Sequence, residues 1–551
     1  MNKRIIVLIS LPTMALLTGA VYSFIHVESK EPKVRVEDPY HQFFETAEAC
    51  MSCHNGILTP AGEDISFGTD WRATMMANSA RDPYWHAAVR REVMDHPESQ
   101  SVIESECSTC HMPMAHYEAL YNGNKAQVFA NLPVNEAVSR ENILAADGVS
   151  CTSCHQITEE KLGTYESFVG RFVIDTLKPI GQREVYGPYP VDAGRVHIMH
   201  SSSGFLQAQS KHIQLSEVCA TCHTLITESL GPNGEVVGEL PEQVPYQEWK
   251  HSSFVDKKSC QSCHMPVVKQ KVPISSVMGV PRKDVSRHTF QGGNFFMLKM
   301  LNRYRDELGV QALPKEMENA VTRTIDHLQG KAAHLEFADL EMSKGEIRAK
   351  IQVKNLAGHK LPTAYPSRRI WVHFTVEDQN GNLIFESGAL HPDGSIVGND
   401  NDRDASTYES HYTEITQSDQ VQVYETIMVG PDDKVTTGLL TAVRFIKDNR
   451  ILPDGFDKIT AEDEISVQGP AMGDLDFIGG SDQVTYRVDI EGIKGMLQVK
   501  AELWYQPIGF RWAQNLTPYD SPETNRFVDY YDSMSGESAV KLAGANRILE
   551  L

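Results

Sequence analysis

Ten cysteines in the 551-residue chain fall into five pairs, each with two residues between its members, and a histidine follows every second cysteine. No cysteine lies outside these pairs. Numbered 1 to 5 in chain order, the motifs are Cys50-Met-Ser-Cys53-His54, Cys107-Ser-Thr-Cys110-His111, Cys151-Thr-Ser-Cys154-His155, Cys219-Ala-Thr-Cys222-His223 and Cys260-Gln-Ser-Cys263-His264. This C-x-x-C-H spacing is typical of covalent haem attachment.

The spacing has a chemical reason. Two thiols one helical turn apart can each form a thioether with one haem, while the adjacent imidazole binds the iron. A disulfide framework needs no histidine after every second cysteine, and zinc sites pair such units differently. The sequence therefore predicts five covalently bound haem c groups, held by all ten cysteines. The predicted proximal iron ligands are His54, His111, His155, His223 and His264.

The remaining histidines are candidates for the second axial ligand of each iron. A histidine close to its own motif cannot easily reach the opposite face of the same haem, so it would serve a neighbouring one. The candidates are His86, His116, His200, His212, His251 and His288 within the motif region, and His359 beyond it. His197 lies one helical turn from His200 and competes with it. For each residue, a polar contact or a surface position is the alternative.

The N-terminus has the pattern of an export signal. Met1-Asn-Lys-Arg precedes an apolar run from Ile5 to Ile25, so residues 1–25 are predicted to be a signal peptide or membrane anchor. The cleavage site is weak, and 21 residues could just span a bilayer, so cleavage and retention as a membrane tether both stay open. The haem region is therefore expected outside the cytoplasm, in the periplasm or on the cell surface.

Composition bears on the partners. The formal net charge of −22 argues against binding to nucleic acid, because a phosphate-binding face needs clustered Lys and Arg. Simple solubility explains an acidic surface, and a basic redox protein is the partner that such a surface would favour. The donor and the acceptor of electrons are not identified by the sequence.

Residues 40–295 contain all five motifs and little strand alternation, which predicts short helices and loops packed around haem. A helical connector is predicted over 296–334, with helices near Asn294–Leu308 and Pro314–Gln329. In the second helix Met317, Val321, Ile325 and Leu328 recur at helical spacing, and Gly330 is expected just past its end.

Residues 335–510 show the alternation typical of strands, at Ile347–Val353 and Ile370–Val376, with Asn380-Gly381 predicting a hairpin. Further strands are predicted at Val421–Met428, Tyr486–Ile490 and Leu497–Tyr505. The fold class is therefore α+β, with a mostly helical and loop multihaem region followed by an antiparallel β-sandwich and a C-terminal tail over 511–551. The acidic segment Asp400–Asp404 is interpreted as a solvated loop, because Ala405 and His411 replace the glycine and glutamate of a calcium loop.

Several segments around the motifs resemble a known family. They are Trp71-Arg-Ala-Thr-Met-Met76, Asp147-Gly-Val-Ser-Cys-Thr-Ser-Cys-His155, Ser216-Glu-Val-Cys-Ala-Thr-Cys-His223, Glu248-Trp249 and Gly358-His-Lys-Leu-Pro-Thr-Ala-Tyr-Pro-Ser367. Together they resemble the multihaem cytochrome c family that has a cytochrome c-554 type haem region, in some members with a C-terminal β-domain. The resemblance implies electron transfer and leaves the pathway undefined.

The chain departs from that family where a Trp-x-x-Ser-x-His segment often supplies a distal ligand. The histidine position holds Met76 in one case and Phe254 in the other. Met75 or Met76 could bind iron and raise the potential of that haem, or both could pack against a porphyrin face. Near Phe254, His251 could substitute as the ligand.

Three functional classes follow from these features. The first is an electron carrier of an extracytoplasmic respiratory chain, with no catalytic residue. The second is a haem oxidoreductase that acts on a small nitrogen or sulfur species at an iron with an open position; every motif ends in histidine, so a lysine-ligated catalytic haem is absent. The third is a subunit of an extracellular cytochrome filament.

The motif count generates a first prediction. Denatured mature protein is expected to retain five haems, because thioether bonds survive unfolding; mass spectrometry and the pyridine haemochrome spectrum measure this number. Replacing Cys154 or Cys263 with alanine should lose or weaken one haem and destabilise the region around it. A fully matured wild-type protein with four haems or fewer would contradict the prediction.

Overall fold

The structure is a computed structural model that describes residues 42–179, 181–343 and 345–551. The predicted signal or tether at residues 1–25 lies outside the described residues, as does the start of the predicted haem region at residue 40. Within the described residues, the helices are all too short or too polar to cross a membrane.

Helices predominate in the first half of the described chain. They are α1 (Ala47–His54), α2 (Phe67–Arg72), α3 (Pro83–Asp95), α4 (Gln100–His111), α5 (Pro113–Tyr121), α6 (Arg140–Ala146), α7 (Cys151–His155), α8 (Ala193–Ser203), α9 (Ser216–Ala220), α10 (Pro245–Lys250), α11 (Cys260–His264), α12 (Phe295–Arg303), α13 (Pro314–Lys331), α14 (Asp400–Arg403), α15 (Phe510–Gln514) and α16 (Pro522–Met534).

Strands predominate in the second half. They are β1 (Glu184–Gly187), β2 (Leu206–Gln209), β3 (Leu225–Leu230), β4 (Val236–Gln243), β5 (Val267–Val268), β6 (Val285–Ser286), β7 (Ala333–Ser343), β8 (Glu346–Asn355), β9 (Arg369–Asp378), β10 (Leu383–Ser387), β11 (Glu414–Ile415), β12 (Val423–Tyr424), β13 (Thr426–Val429), β14 (Val435–Thr436), β15 (Arg444–Asp448), β16 (Ser481–Asp489), β17 (Met496–Gln506) and β18 (Val540–Glu550).

Two larger sheets organise the second half. One has the order β10-β9-β17-β18, with β12 also paired to β9, and the other has the order β11-β16-β8-β7. Their pairs are antiparallel except for β11 with β16, which is parallel. A third sheet has the order β14-β13-β15. The α+β class and the mainly antiparallel strand domain are thus confirmed.

Alternation explains why the central strands form. Ile347, Ala349, Ile351 and Val353 of β8 are fully buried, whereas the intervening residues are exposed or half-buried. Strand β9 is buried on both faces, because Trp371 packs into a second apolar cluster with Val421 and Val423. Helices α12 and α13 share one continuous apolar core with both larger sheets. The boundaries predicted at 296–334 and 335–510 stay predictions.

The strands predicted at Ile347–Val353, Ile370–Val376 and Leu497–Tyr505 lie within β8, β9 and β17, and the Asn380-Gly381 hairpin joins β9 to β10. The strand predicted at Val421–Met428 is divided, because β12 pairs with β9 whereas β13 pairs with β14 and β15. Three two-stranded sheets also occur before residue 287, formed by β1 to β6. Periodicity did not reveal them because β5 and β6 have two residues each and most residues of β1 to β4 are only partly buried.

Both predicted connector helices form, with different ends. Helix α12 ends at Arg303 rather than near Leu308. Helix α13 begins at Pro314 as predicted but continues past Gly330, because the Ala332 N–H donates to the Leu328 carbonyl. Gly330 is therefore part of the helix and does not terminate it.

The acidic segment Asp400–Asp404 is not a solvated loop, and that interpretation is corrected. Residues Asp400–Arg403 form α14, and Asp402 is buried. Both carboxylate oxygens of Asp402 accept hydrogen bonds from the Arg369 guanidinium, at 2.7 and 2.8 Å. The Ile396 N–H donates to the same carboxylate at 2.7 Å. The buried Arg369 guanidinium compensates the charge of this acidic residue in the core.

The C-terminal segment is an integral part of the strand domain. Helix α16 packs against α3 of the motif region, and β18 pairs along its length with β17. The sequence predicted only a tail over 511–551. The signal for β18 is weak because its burial is low on both faces, as in an edge strand that has few core contacts.

The Arg369–Asp402 pair generates a stability prediction. Replacing Asp402 with alanine leaves a buried, unpaired guanidinium, so the free energy of unfolding should fall by roughly 3–5 kcal/mol. Chemical denaturation followed by circular dichroism measures the change. Asp404→Ala, at an exposed position of the same segment, is the control and should be close to neutral. Equal effects of the two variants would contradict the burial argument.

Candidate functional site

Each C-x-x-C-H motif coincides with a short helix. Motifs 1, 2, 3 and 5 lie on α1, α4, α7 and α11, and each of these helices ends at the motif histidine. Motif 4 begins on α9 and continues helically, because the His223 N–H donates to the Cys219 carbonyl at 2.9 Å. Helical geometry places thiols at i and i+3 on one face. All ten cysteines, which lie within the described residues, are free of disulfides.

Backbone carbonyls fix the rings of four motif histidines. The Nδ1 atoms of His54 and His155 lie 2.6 Å from the carbonyl oxygens of Ile274 and Tyr186, respectively. His111 makes the same contact with Ser79 at 3.0 Å, and His264 with Gln291. A carbonyl oxygen only accepts hydrogen bonds, so Nδ1 must carry the proton in each case. The Nε2 lone pair is then available for a metal.

Burial keeps these rings neutral. Desolvation lowers the pKa of His111 and His223 to about 4, and it lowers the pKa of His54, His155 and His264 as well. Neutral imidazole is the form that binds metals. All five motif histidines therefore present the neutral form that metal binding requires, and four of them, all except His223, also have the required tautomer fixed by a hydrogen bond.

His288 faces the histidine of motif 3. The ring centroids of His155 and His288 are 6.3 Å apart, and the ring planes differ by 17°. Two imidazoles on opposite sides of one metal ion, each with a metal–nitrogen bond of about 2 Å, have centroids roughly 6 Å apart. Burial lowers the pKa of His288 to about 3, so this ring is also neutral. The pair fits the two axial positions of one haem iron.

His359 faces the histidine of motif 5 in the same way. The ring centroids of His264 and His359 are 6.2 Å apart, with 17° between the planes. His359 Nδ1 donates to the Lys360 carbonyl at 2.9 Å, which leaves its Nε2 lone pair free. His327 of α13 is also near, at 6.0 Å and 44° from His264. We favour His359 as the second ligand because its tautomer is fixed.

Ring separation alone does not identify a ligand. Phe67 lies 5.9 Å from His54 at an interplanar angle of 14°, and a phenyl ring cannot bind iron. His111 is stacked on Trp85 at 4.3 Å. The separation therefore supports ligation only where the second ring offers a nitrogen, as in the pairs formed by His288 and His359.

The other predicted distal ligands have at least one ring nitrogen bound by the protein. Both ring nitrogens of His86 are bonded, one to the Ala80 carbonyl and the other to Arg526. Both ring nitrogens of His212 are bonded as well, one to the Ile157 carbonyl and the other to the Ser210 hydroxyl. His116 contacts the hydroxyls of Ser108 and Thr109, and Nε2 of His200 and His251 donates to the carbonyls of Gly181 and Asp457. The geometry does not pair these five with a motif histidine, and their ligand role stays a prediction.

Motifs 1 and 3 are adjacent. The Thr152 hydroxyl within motif 3 donates to the Glu45 carbonyl, just before α1, at 2.6 Å. The thiols of Cys50 and Cys151 lie close enough to interact with each other. Two haems attached here would therefore be neighbours.

Motif 4 lies between motifs 2 and 5. The thiol of Cys222 lies close enough to interact with that of Cys110, and the thiol of Cys219 with that of Cys260. The Cys260 N–H also donates to the Ser216 hydroxyl of α9 at 3.1 Å. Each motif thus lies against at least one other, which is the arrangement that electron exchange between cofactors requires.

Residues 266–291, which we name the strap, join three motifs. The strap supplies the Ile274 carbonyl to His54 of motif 1 and the Gln291 carbonyl to His264 of motif 5. It also supplies His288 to motif 3. One segment therefore sets the ring orientation at two motifs and the second imidazole at a third.

A second cluster of ligand-type residues lies in the strand domain. His411, Asp474 and Asp482 are buried, with donor atoms within 4.8 Å of one another. His411 Nε2 donates to Asp474 at 3.0 Å, and its Nδ1 accepts from the amides of Gln422 and Asn449 at 3.1 Å. Both ring nitrogens are satisfied, so the cluster is a structural hydrogen-bond network.

Sequence reasoning missed His327 and the carbonyl acceptors. A signal for His327 exists, because it lies three residues after Thr324 and seven after Ala320, on the buried face of α13. The carbonyls of Ser79, Tyr186, Ile274 and Gln291 have no sequence signal, because any residue type provides a carbonyl. The side chains of Met75 and Met76 are half-buried, and their ligand role stays open.

Comparisons with known proteins add little. No family model matches the chain, and no curated protein sequence matches it. Among solved structures, the chain is similar to a penta-haem cytochrome c552 from Thermochromatium tepidum, with 14% identity and a TM-score of 0.49, over 93% of this chain and 100% of that one. An identity and a TM-score this low establish neither fold nor function. A proposal of function must therefore rest on the residues of this chain.

The His155–His288 geometry generates a prediction. Replacing His288 with alanine should remove one axial ligand, so one haem should change from low spin to high spin. Resonance Raman spin-state marker bands measure the change, and the haem count should stay at five.

His373→Ala is the matched control, because His373 of β9 contacts Glu386 at 2.9 Å and faces no motif histidine among the described residues. It should leave the marker bands unchanged. An unchanged spin state in folded His288→Ala protein would refute the ligand assignment.

Proposed function

We propose that the chain is a multihaem c-type cytochrome that transfers electrons through five covalently bound haems. The observation that carries the proposal is the presence of two pairs of nearby imidazoles: His155 with His288 at 6.3 Å, and His264 with His359 at 6.2 Å between ring centroids. In each pair the motif histidine has a free Nε2, because its Nδ1 binds a backbone carbonyl. An iron held by both imidazoles of a pair would have no open position for a substrate, which favours electron transfer at these two sites.

The haem iron supplies the one-electron chemistry, and the protein sets its conditions. The ten thiols would anchor the rings, and the carbonyls bonded to Nδ1 hold the proximal imidazoles neutral and oriented. The hydrogen bond from Nδ1 also makes Nε2 a more basic ligand, with a stronger tendency to donate its lone pair to a metal. This is one means by which a protein tunes a metal centre. The contacts between motifs would keep successive haems close.

The net charge and the N-terminal export pattern extend the proposal to the binding partner and the cellular location of the protein. The acidic chain, at −22, would bind a basic redox protein through long-range attraction that weakens with salt. We place the haem region outside the cytoplasm, because the N-terminal export pattern precedes it. Donor, acceptor and respiratory context belong to this proposal as expectations.

His359 provides a test of electron-transfer tuning. Replacing His359 with methionine substitutes a thioether for an imidazole, which raises the potential of a haem. The midpoint of one haem should rise by on the order of a hundred millivolts, since axial ligands span roughly 0.8 V. Spectroelectrochemical titration of the folded protein measures the shift.

His327→Met is the matched comparison, because His327 is the second histidine near His264. If His359 is the ligand, the His327 variant should leave all five midpoints nearly unchanged. If the midpoint potentials of His359→Met are those of the wild type, or if a midpoint shifts only in His327→Met, then His359 is not the second ligand.

A further inference from the structure

His359 lies on a loop of the strand domain, yet it faces a histidine of the motif region. The loop follows β8, and the His359 ring must stay 6.2 Å from His264 to share an iron with it. A loop residue needs external contacts to hold such a position within a fraction of an ångström. The role that we infer for the contacts that hold this loop rests on the proposed function, in which His264 and His359 bind one haem.

The peptide group after His359 is held at both ends. Asn355 Nδ2 donates to the His359 carbonyl at 2.8 Å, and the Lys360 N–H donates to Glu248 Oε2 at 3.1 Å. The next carbonyl, that of Lys360, accepts from His359 Nδ1. The backbone that carries the ring and the ring itself are therefore fixed by the same few bonds.

Glu248 is the contact in this set that comes from the motif region. It lies on α10 and is fully buried. Its Oε2 atom accepts from the Lys360 N–H and, at 2.5 Å, from the Thr363 hydroxyl. One carboxylate thus binds the loop on the C-terminal side of His359 at two points and ties it to α10.

A charge network surrounds that carboxylate. Arg450 Nη1 lies 2.9 Å from Glu248 Oε1, and Arg450 also forms a bidentate pair with Asp448 at 2.9 and 2.7 Å. Asp448 in turn accepts from Lys360 Nζ at 2.7 Å. The four buried groups carry two positive and two negative charges, so the cluster is neutral as a whole. A buried carboxylate without such partners would take up a proton.

Two residues near Glu248 in the sequence, Trp249 and Phe254, also pack against the loop that carries His359. A Cβ atom built on Gly358 would lie 3.3 Å from Cδ1 of Trp249 and 3.4 Å from Cβ of Phe254. The glycine backbone therefore packs directly on this segment of the motif region, where a larger residue would push the loop away. Phe254 supports the loop that presents His359 and offers no ligand itself.

We propose that Glu248 is the positioning residue for the second axial ligand of the motif 5 haem. It acts through the Lys360 N–H and the Thr363 hydroxyl and holds His359 opposite His264. Haem attachment at motif 5 does not depend on it, because Cys260 and Cys263 lie on α11, away from these contacts.

Glu248→Asp in the full-length holoprotein tests the proposal. The shorter side chain keeps the charge but withdraws the carboxylate by about 1.5 Å, which breaks both contacts to the loop. We expect five haems, with one of them partly converted to high spin in resonance Raman spectra. Added imidazole should restore its low-spin bands by occupying the released position.

Glu425→Asp is the matched control. Glu425 forms a buried pair with Lys447 at 3.0 Å in the strand domain and makes no contact with the His359 loop among the described residues. The Glu425→Asp variant should lose about as much stability as Glu248→Asp. The spin state of every haem should nevertheless be the same as in the wild type. Glu248→Gln keeps both side-chain length and an acceptor oxygen, so it should retain more of the low-spin signal than Glu248→Asp.

The outcomes separate positioning from stability. A folded Glu248→Asp protein with wild-type spin states, or an equal change in Glu425→Asp, would overturn the proposal. If the Glu248 variants fail to fold, Thr363→Val is the alternative, because it removes one contact to Glu248 without removing a charge. An unshifted midpoint potential of the motif 5 haem in Thr363→Val would also overturn the proposal. If His359→Ala leaves the spectra unchanged, the ligand assignment fails instead, whereas loss of covalent haem in the wild type would refute the proposed function.

Discussion

An imidazole can bind a metal through Nε2 when Nδ1 holds the proton, and the site depends on this constraint. Four motif histidines satisfy it through backbone carbonyls, which come from distant parts of the chain: Ser79, Tyr186, Ile274 and Gln291. In all four motifs the carbonyl comes from a segment outside the motif helix. The loops between motifs, and the strap in particular, are therefore as necessary for ligation as the motifs themselves.

The strand domain takes part in the site. It presents His359 to motif 5, and its loop is bound to α10 by Glu248 within a buried, charge-balanced cluster. Helices α12 and α13 share an apolar core with both larger sheets, so the region that bears the motifs and the region that bears the sheets are packed together. Replacing one partner of a buried ion pair is costly, which gives this junction rigidity. A rigid junction suits electron transfer, because ligand geometry sets the potential of each haem.

The chemistry of the motifs was predictable from sequence, because C-x-x-C-H is a local pattern that contains both attachment and proximal ligation. Strands β8, β9 and β17 were predictable from alternation. Strands β1 to β4 were not, because most of their residues are only partly buried. The burial of Asp402 was not predictable either, because it depends on Arg369, 33 residues away in the sequence. Distal ligands were the least predictable part. His288 and His359 were two candidates among several equivalent ones, and only their approach to His155 and His264 distinguishes them from residues such as His86 and His212.

The central claim is that this chain places two imidazoles on opposite sides of at least two haem irons. Low-temperature electron paramagnetic resonance of the oxidised wild-type protein tests it most directly, because low-spin six-coordinate and high-spin five-coordinate ferric haems give separate signals. Spin quantification against the covalent haem count should assign at least two of the five haems to the low-spin signals. A spectrum in which low-spin haem accounts for fewer than two per chain would contradict the account.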